Sequence, residues 1–176
     1  MIKNFKIVRV DSNYCDYLRQ FDSRVSYNKG SKELRPFIGI LFVVNGCEYF
    51  APLSSPKEKH THIKNNVDII KIDNGNYGVV NFNNMIPVTS NNYEIINLSV
   101  LPKSINELKW YNLLKTQLLW LNKNKKDVKG KANKLYEMYK INKLPERIKI
   151  RCCNFPLLEE KCIEFNKQNK YCKLHL

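Results

Sequence analysis

P-F-I-G-I-L-F-V-V-N-G-C-E-Y-F-A-P, residues 36–52, decides the fold. Residues 36–44 form a long apolar run, rich in β-branched and aromatic side chains, that reads as a central strand. Asn45-Gly46 follows, and both residues accept the positive φ that a two-residue hairpin turn demands. Residues 47–52 then pair back, and the strand stops near Pro52, which has no N–H to give a ladder. Directly beyond come S-S-P-K-E-K-H-T-H, residues 54–62. Two hydroxyls, two ammonium groups and an imidazole thus arrive where a sheet holds the backbone still.

Working outward, residues 4–10 alternate as a first strand, and Asp11 or Ser12 caps a helix that buries Tyr14, Tyr17, Leu18 and Phe21 and ends near Asp22. A polar loop spans 25–35, too long for a simple turn, and carries Tyr27, Lys29, Lys32 and Arg35. Past the hairpin, residues 67–72 and 77–82 read as strands around an Asp73–Asn76 turn, with shorter strands at 85–88 and 94–98. At Pro102 the pattern changes period. Ser104 and Glu107 have capping-box spacing, and the helix they start buries Leu108, Tyr111, Leu114, Leu118 and Leu121. A second helix over 127–143 buries Ala132, Leu135 and Tyr139, and the alternation at 147–151 suggests a strand returning to the sheet. Asn154 caps a last helix with Pro156 in its first turn and Leu158, Cys162 and Phe165 inside. The expected class is α+β: a bent antiparallel sheet of about six strands with four to five surrounding helices. No composition break or repeat divides the chain, so residues 1–176 are expected to form one domain.

The net charge of +14 is unevenly placed. Residues 1–102 carry 12 basic and 9 acidic groups, whereas residues 103–176 carry 18 and 7. Such an excess opposes folding by self-repulsion, and a polyanionic partner explains it, nucleic acid first. The plain alternative is a solvated lysine-rich surface. Six lysines fall within twelve residues: Lys123, Lys125, Lys126, Lys129, Lys131 and Lys134. No apolar run spans a bilayer, and no export signal is present, so a cytoplasmic protein with free thiols and no membrane partner is expected. Cys15, Cys47, Cys152, Cys153, Cys162 and Cys172 contain no C-x-x-C pair, and carboxylates are scarce in the loops, so no metal or cofactor is expected. Glycine-rich phosphate loops are absent.

What remains suits RNA cleavage without a metal, in which the 2′-hydroxyl attacks its own phosphate. The protein then aligns the strand, moves protons and stabilises the phosphorane. Lysine and arginine serve the last task. A serine orients a hydroxyl or a phosphate oxygen.

At this point the sequence meets a family. F-D-S-R-V at 21–25, P-F-I-G-I at 36–40, Y-F-A-P-L-S-S-P-K at 49–57, N-N-M-I-P-V at 83–88 and C-N-F-P-L-L-E-E-K at 153–161 resemble, in order and over nearly the whole chain, the ToxN/AbiQ toxins of bacterial type III toxin–antitoxin systems, and within them a CptN-like branch. The resemblance implies a MazF/Kid-like fold and a metal-independent endoribonuclease that leaves 2′,3′-cyclic phosphate and 5′-hydroxyl ends. It implies an RNA antitoxin of pseudoknot repeats, cut by the toxin from its precursor and held with it in a closed protein–RNA hetero-oligomer. Cellular or phage RNA would be the substrate, and growth arrest and abortive infection the outcome. The family's catalytic hydroxyls and lysine fall on Ser54, Ser55 and Lys57, and its basic residue before the F-I-G string falls on Arg35. Tyr27 is the nearest candidate for the family's loop tyrosine. Lys29, Lys32, Lys59, His60 and the six lysines at 123–134 are the candidate RNA contacts. Composition alone equally allows a non-catalytic RNA-binding module, and a MazF-like toxin with a protein antitoxin is a third reading.

Overall fold

The computed structural model describes residues 4–27 and 35–174, with side chains through 168. Lys29 and Lys32 therefore lie outside the described residues. The elements are β1 (Lys6–Val10), α1 (Ser12–Arg19), β2 (Phe37–Gly39), β3 (Val43–Val44), β4 (Cys47–Ser54), α2 (Glu58–His62), β5 (Ile69–Lys71), β6 (Val79–Asn81), β7 (Ile86–Val88), β8 (Tyr93–Ile95), α3 (Ile105–Lys123), α4 (Lys125–Lys140), α5 (Glu146–Lys149) and α6 (Phe155–Leu174).

The opening hairpin forms as its turn residues require, with Asn45 at φ 50° and Gly46 at φ 79°. Its return strand, β4, organises the sheet. The order is β5-β6-β4-β2-β1-β8, all antiparallel, with β3 and β7 added to the first half of β4. β4 changes partners midway. Its first half pairs with β3 and β7 (Val44↔Cys47, Phe50↔Ile86), and its second half with β2 and β6 (Phe37↔Pro52, Ser54↔Val79). One eight-residue strand shared between two sets of neighbours bends the sheet. For the same reason residues 36–44 are not one strand: β2 stops at Gly39 and β3 resumes at Val43. Phe50 explains the break in part, since a Cβ on Gly39 would lie 2.4 Å from its ring. The sheet has eight strands among the described residues, not about six.

Helices cover the sheet with the faces their spacing selects. Asp11 caps α1, accepting from Tyr14 N at 2.8 Å, and Ser104 caps α3, accepting from Glu107 N at 3.3 Å. α3 buries Tyr111, Leu114, Gln117 and Leu121, and α4 buries Val128, Ala132, Leu135 and Tyr136. Between them stands one residue, Asn124, so the lysine-rich stretch that reads as a polar connector is helical. Residues 147–151 are not a strand. Pro145 starts α5, Ile148 alone is buried, and Arg151 pairs with the buried Asp68 at 2.8 Å. Alternating R-I-K-I-R also fits one helical turn with a single inward residue.

Three of the strings that carry the family resemblance meet in space. Asp22 accepts from the N–H of Asn154 at 2.7 Å and pairs with Arg24 at 2.8 Å. Asn84 donates to Arg24 O, and Cys153 N donates to Asn83 O at 2.8 Å. Burial pushes the Asp22 carboxyl up, but the bonds from Arg24 and Asn154 outweigh it and hold its pKa below the usual value. Glu159, nearly buried, accepts from Tyr49 Oη and Tyr136 Oη, both at 2.7 Å. Phe155 packs against Tyr49, Tyr136 and Tyr139. Here C-N-F-P-L-L-E-E-K is a latch that fixes α6 and α4 to the back of β4.

Candidate active site

The candidate residues gather where β4 ends. The N–H of Leu53 donates to Pro36 O at 2.8 Å, carrying the β2–β4 register one residue past Phe37↔Pro52. The next pair in that register is Arg35 opposite Ser54. Cross-strand neighbours have Cα atoms roughly 4.5–5.5 Å apart and side chains on the same face. Arg35 is partly buried, and burial lowers its guanidinium pKa from the ordinary value. It stays protonated at neutral pH. No carboxylate among the described residues pairs with Arg35 or with Lys57. A desolvated, unopposed guanidinium beside a hydroxyl is an anion site.

Ser54 Oγ is positioned by Asn81, whose Nδ2 lies 2.9 Å away and also reaches Pro52 O at 3.4 Å. Ser55 and Lys57 are exposed. Lys57 precedes α2, and its carbonyl accepts from His60 N at 2.8 Å. Residues 58–62 are thus a short helix, not the open loop their composition suggests. His60 turns inward and is 4% exposed, with Nδ1 buried and unpartnered. Burial, then Lys59 and Lys57, push its pKa down, so the imidazole is neutral at pH 7. His60 therefore supports the loop from beneath, while Lys59 projects outward.

The loop is braced by the turn after β5. Gly75 and Gly78 take φ of 100° and 92°. A Cβ on Gly78 would lie 1.9 Å from Ser54 O, and one on Gly75 would lie 2.5 Å from His60 O. Backbone meets backbone at both places, which only glycine allows. Lys71 Nζ adds a bond to Thr61 O at 2.8 Å. Asn81 and the two glycines are functional supports that reading the sequence missed. The only signal was D-N-G-N-Y-G, which reads as an ordinary turn.

Tyr27 does not join this cluster. It is 45% exposed, and the Arg19 guanidinium sits 5.3 Å from its ring. No hydrogen bond links it to Ser54, Ser55 or Lys57. The lysines of α4 and the end of α3 divide by face. Lys125 and Lys129 lie on the side towards β1, where Lys125 Nζ donates to Asn4 Oδ1 at 3.0 Å and Lys129 Nζ is 5.5 Å from the Phe5 ring. Lys131 is partly buried; burial lowers its pKa while Asp68 opposes the shift. Lys123, Lys126 and Lys134 face solvent. They do not form a single stripe. Among the described residues no three His, Cys, Asp or Glu side chains gather as metal ligands.

Bent sheet, helical backing and a hydroxyl–cation cluster at a strand end define a class. Residues 6–163 match the family model for toxin ToxN of type III toxin–antitoxin systems, and the chain belongs to that family. The endoribonuclease ToxN of Bacillus thuringiensis subsp. kurstaki is 34% identical over 171 residues, covering 95% of this chain and 87% of that one. A solved structure from a type III system, in which a non-coding RNA pseudoknot selectively inhibits the toxin, superposes with a TM-score of 0.80 at 34% identity, covering 93% of this chain and 99% of that one. A second, from a bacterial antiviral system regulated by a processed non-coding RNA, gives 0.76 at 26% identity, covering 90% and 98%.

Proposed function

We propose that this chain, as a single domain, is the endoribonuclease toxin of a type III toxin–antitoxin system, held by an RNA antitoxin. The observation that carries the reading is the pair of unopposed cations, Arg35 and Lys57, on either side of the Ser54–Ser55 hydroxyls at a braced strand end. A phosphodiester fits between them. Arg35 binds a non-bridging oxygen with its fork of N–H donors, and Lys57 supplies positive charge as the phosphorane forms. Ser55 orients the 2′-hydroxyl or a phosphate oxygen, and Ser54, fixed by Asn81, holds the opposite wall. The 2′-oxygen attacks phosphorus, the 5′-oxygen leaves, and the products carry 2′,3′-cyclic phosphate and 5′-hydroxyl ends. This chemistry uses no metal.

The relatives support the biology. One is named an endoribonuclease, and a solved neighbour is inhibited by an RNA pseudoknot. The corresponding antitoxin here is repeat RNA, which the toxin processes and then binds in a closed protein–RNA assembly. The toxin would act on cellular or phage RNA in the cytoplasm. No helix among the described residues is long and apolar enough to cross a membrane. The test is incubation of RNA-free protein with single-stranded RNA in excess EDTA, followed by mapping of the product ends. Cleavage with cyclic-phosphate ends is expected. Binding without cleavage would make the chain an RNA-binding module, and cleavage only with added divalent metal would refute the mechanism.

A further inference from the structure

The largest concavity described is not at the Ser54 end of β4 but at the other. A cavity of about 1050 Å³ opens over β8, β1, β2 and the start of β4, beneath the N-terminal part of α4. Its floor is apolar and aromatic. Phe50 and Tyr93 lie with ring centroids 4.8 Å apart, tilted by 47°. Glu48 stands at the end of that floor, and Tyr93 Oη donates to its Oε2 at 3.0 Å, leaving acceptor capacity on Oε1. Lys6, Lys125 and Lys129 line the mouth. Burial, then the nearby Lys125, lowers the Lys129 pKa, as expected of amines crowded at one opening without enough counter-charge. Side chains alternate along a strand, so Glu48, Phe50, Pro52 and Ser54 share one face of β4. The cavity and the catalytic hydroxyls are therefore two stations on one track, roughly 20 Å apart at about 3.3 Å per residue.

We propose that this cavity is a base-reading subsite for an unpaired nucleotide of the bound RNA, with guanine the preferred base. The inference rests on the RNA-binding part of the function proposed above. An anionic ligand with a flat apolar body and N–H donors meets every feature. The base stacks on the Phe50–Tyr93 floor, phosphates lie against the three lysines, and the donor edge faces Glu48. A carboxylate only accepts, so it selects bases by their donors. Guanine offers N1–H beside N2–H₂. Adenine and cytosine each offer one amino group, and uracil turns two carbonyls towards the carboxylate. No acidic partner for the lysines competes beyond Glu48 itself in the cavity lining.

The test uses four 2′-O-methyl oligonucleotides, identical except for one central G, A, C or U, bound to wild type, Glu48→Gln and Tyr93→Phe. They lack the attacking hydroxyl, so binding is read without cleavage. Wild type should bind the G oligonucleotide about tenfold more tightly than the U oligonucleotide. In Glu48→Gln, whose amide both donates and accepts, the G/U ratio should fall to within about twofold of unity while the mean affinity changes little. Tyr93→Phe should keep the preference, because the carboxylate remains. An unchanged G/U ratio in Glu48→Gln, or none in wild type, overturns the proposal. The matching ribo-oligonucleotides are assayed for cleavage in parallel. Discrimination without cleavage would sink the nuclease reading alone, and cleavage without discrimination would sink this subsite alone.

Discussion

Replacing Glu159 should unlatch the back of β4. Its carboxylate accepts both the Tyr49 and Tyr136 hydroxyls at 2.7 Å. Those tyrosines are 0% and 2% exposed, so neither finds water when the acceptor goes. Leaving a buried hydroxyl unpaired costs about 1–3 kcal/mol. Two orphans put Glu159→Ala at roughly 2–6 kcal/mol, before any loss from the cavity. Glu159→Gln keeps an oxygen for both bonds and loses only the charge assistance, roughly 1–2 kcal/mol. Tyr136→Phe alone should cost about 1 kcal/mol, since Tyr49 still bonds the carboxylate. At about 2–4 °C per kcal/mol for a chain of this size, Glu159→Ala lowers Tm by roughly 4–24 °C. Urea denaturation with an unchanged m-value measures the difference directly. The order Ala worse than Gln, and Gln no better than Tyr136→Phe, is the signature. An alanine variant within about 1 kcal/mol of wild type would refute the latch.

Two more perturbations probe the frame. Gly78→Ala meets both a φ of 92° and Ser54 O at 1.9 Å. It should cost roughly 2–5 kcal/mol and reduce RNA cleavage, whereas Gly46→Ala, at φ 79° but in open space, should cost about 1 kcal/mol and leave cleavage intact. Equal losses in melting and cleavage assays would show that the brace on Ser54 is not what Gly78 provides. Alkali should destabilise the fold. Burial above all holds the Tyr14, Tyr49 and Tyr136 hydroxyls protonated well beyond pH 10. The unfolded chain loses those protons near pH 10. Their raised folded values mean that the stabilisation is complete below pH 10 and is lost as pH rises above it, by up to about 1.4 kcal/mol per tyrosine per pH unit. A flat stability between pH 10 and 11 would contradict this.

The hairpin was legible because Asn45-Gly46 leaves the backbone little choice, and the caps at Asp11, Ser104 and Asn154 because each needs only neighbours in sequence. The kink between β2 and β3 was not legible. It follows from Phe50 lying on Gly39, a contact between strands. The segment 147–151 carried a two-residue alternation too short to tell a strand from a turn of helix, and the Arg151–Asp68 pair across the fold decided it. At the site, Ser54, Ser55 and Lys57 were visible as residue types after a strand-ending proline. Their bracing was not, since Gly75, Gly78 and Asn81 reach them from another strand pair. His60 looked like a polar loop residue because composition is blind to which side of a one-turn helix faces inward.

The account stands on the hydroxyl–cation cluster at the end of β4. Its most direct test is single-turnover cleavage of one short RNA, in EDTA, by wild type, Ser55→Ala, Lys57→Ala and Arg35→Ala at saturating protein. Losing a group that stabilises the transition state costs about 10²–10³ in rate. Lys57→Ala and Arg35→Ala should fall by about that much, Ser55→Ala by at least tenfold, and all three should melt within a few degrees of wild type. Cleavage at the wild-type rate by Ser55→Ala and Lys57→Ala would place the chemistry elsewhere on the protein.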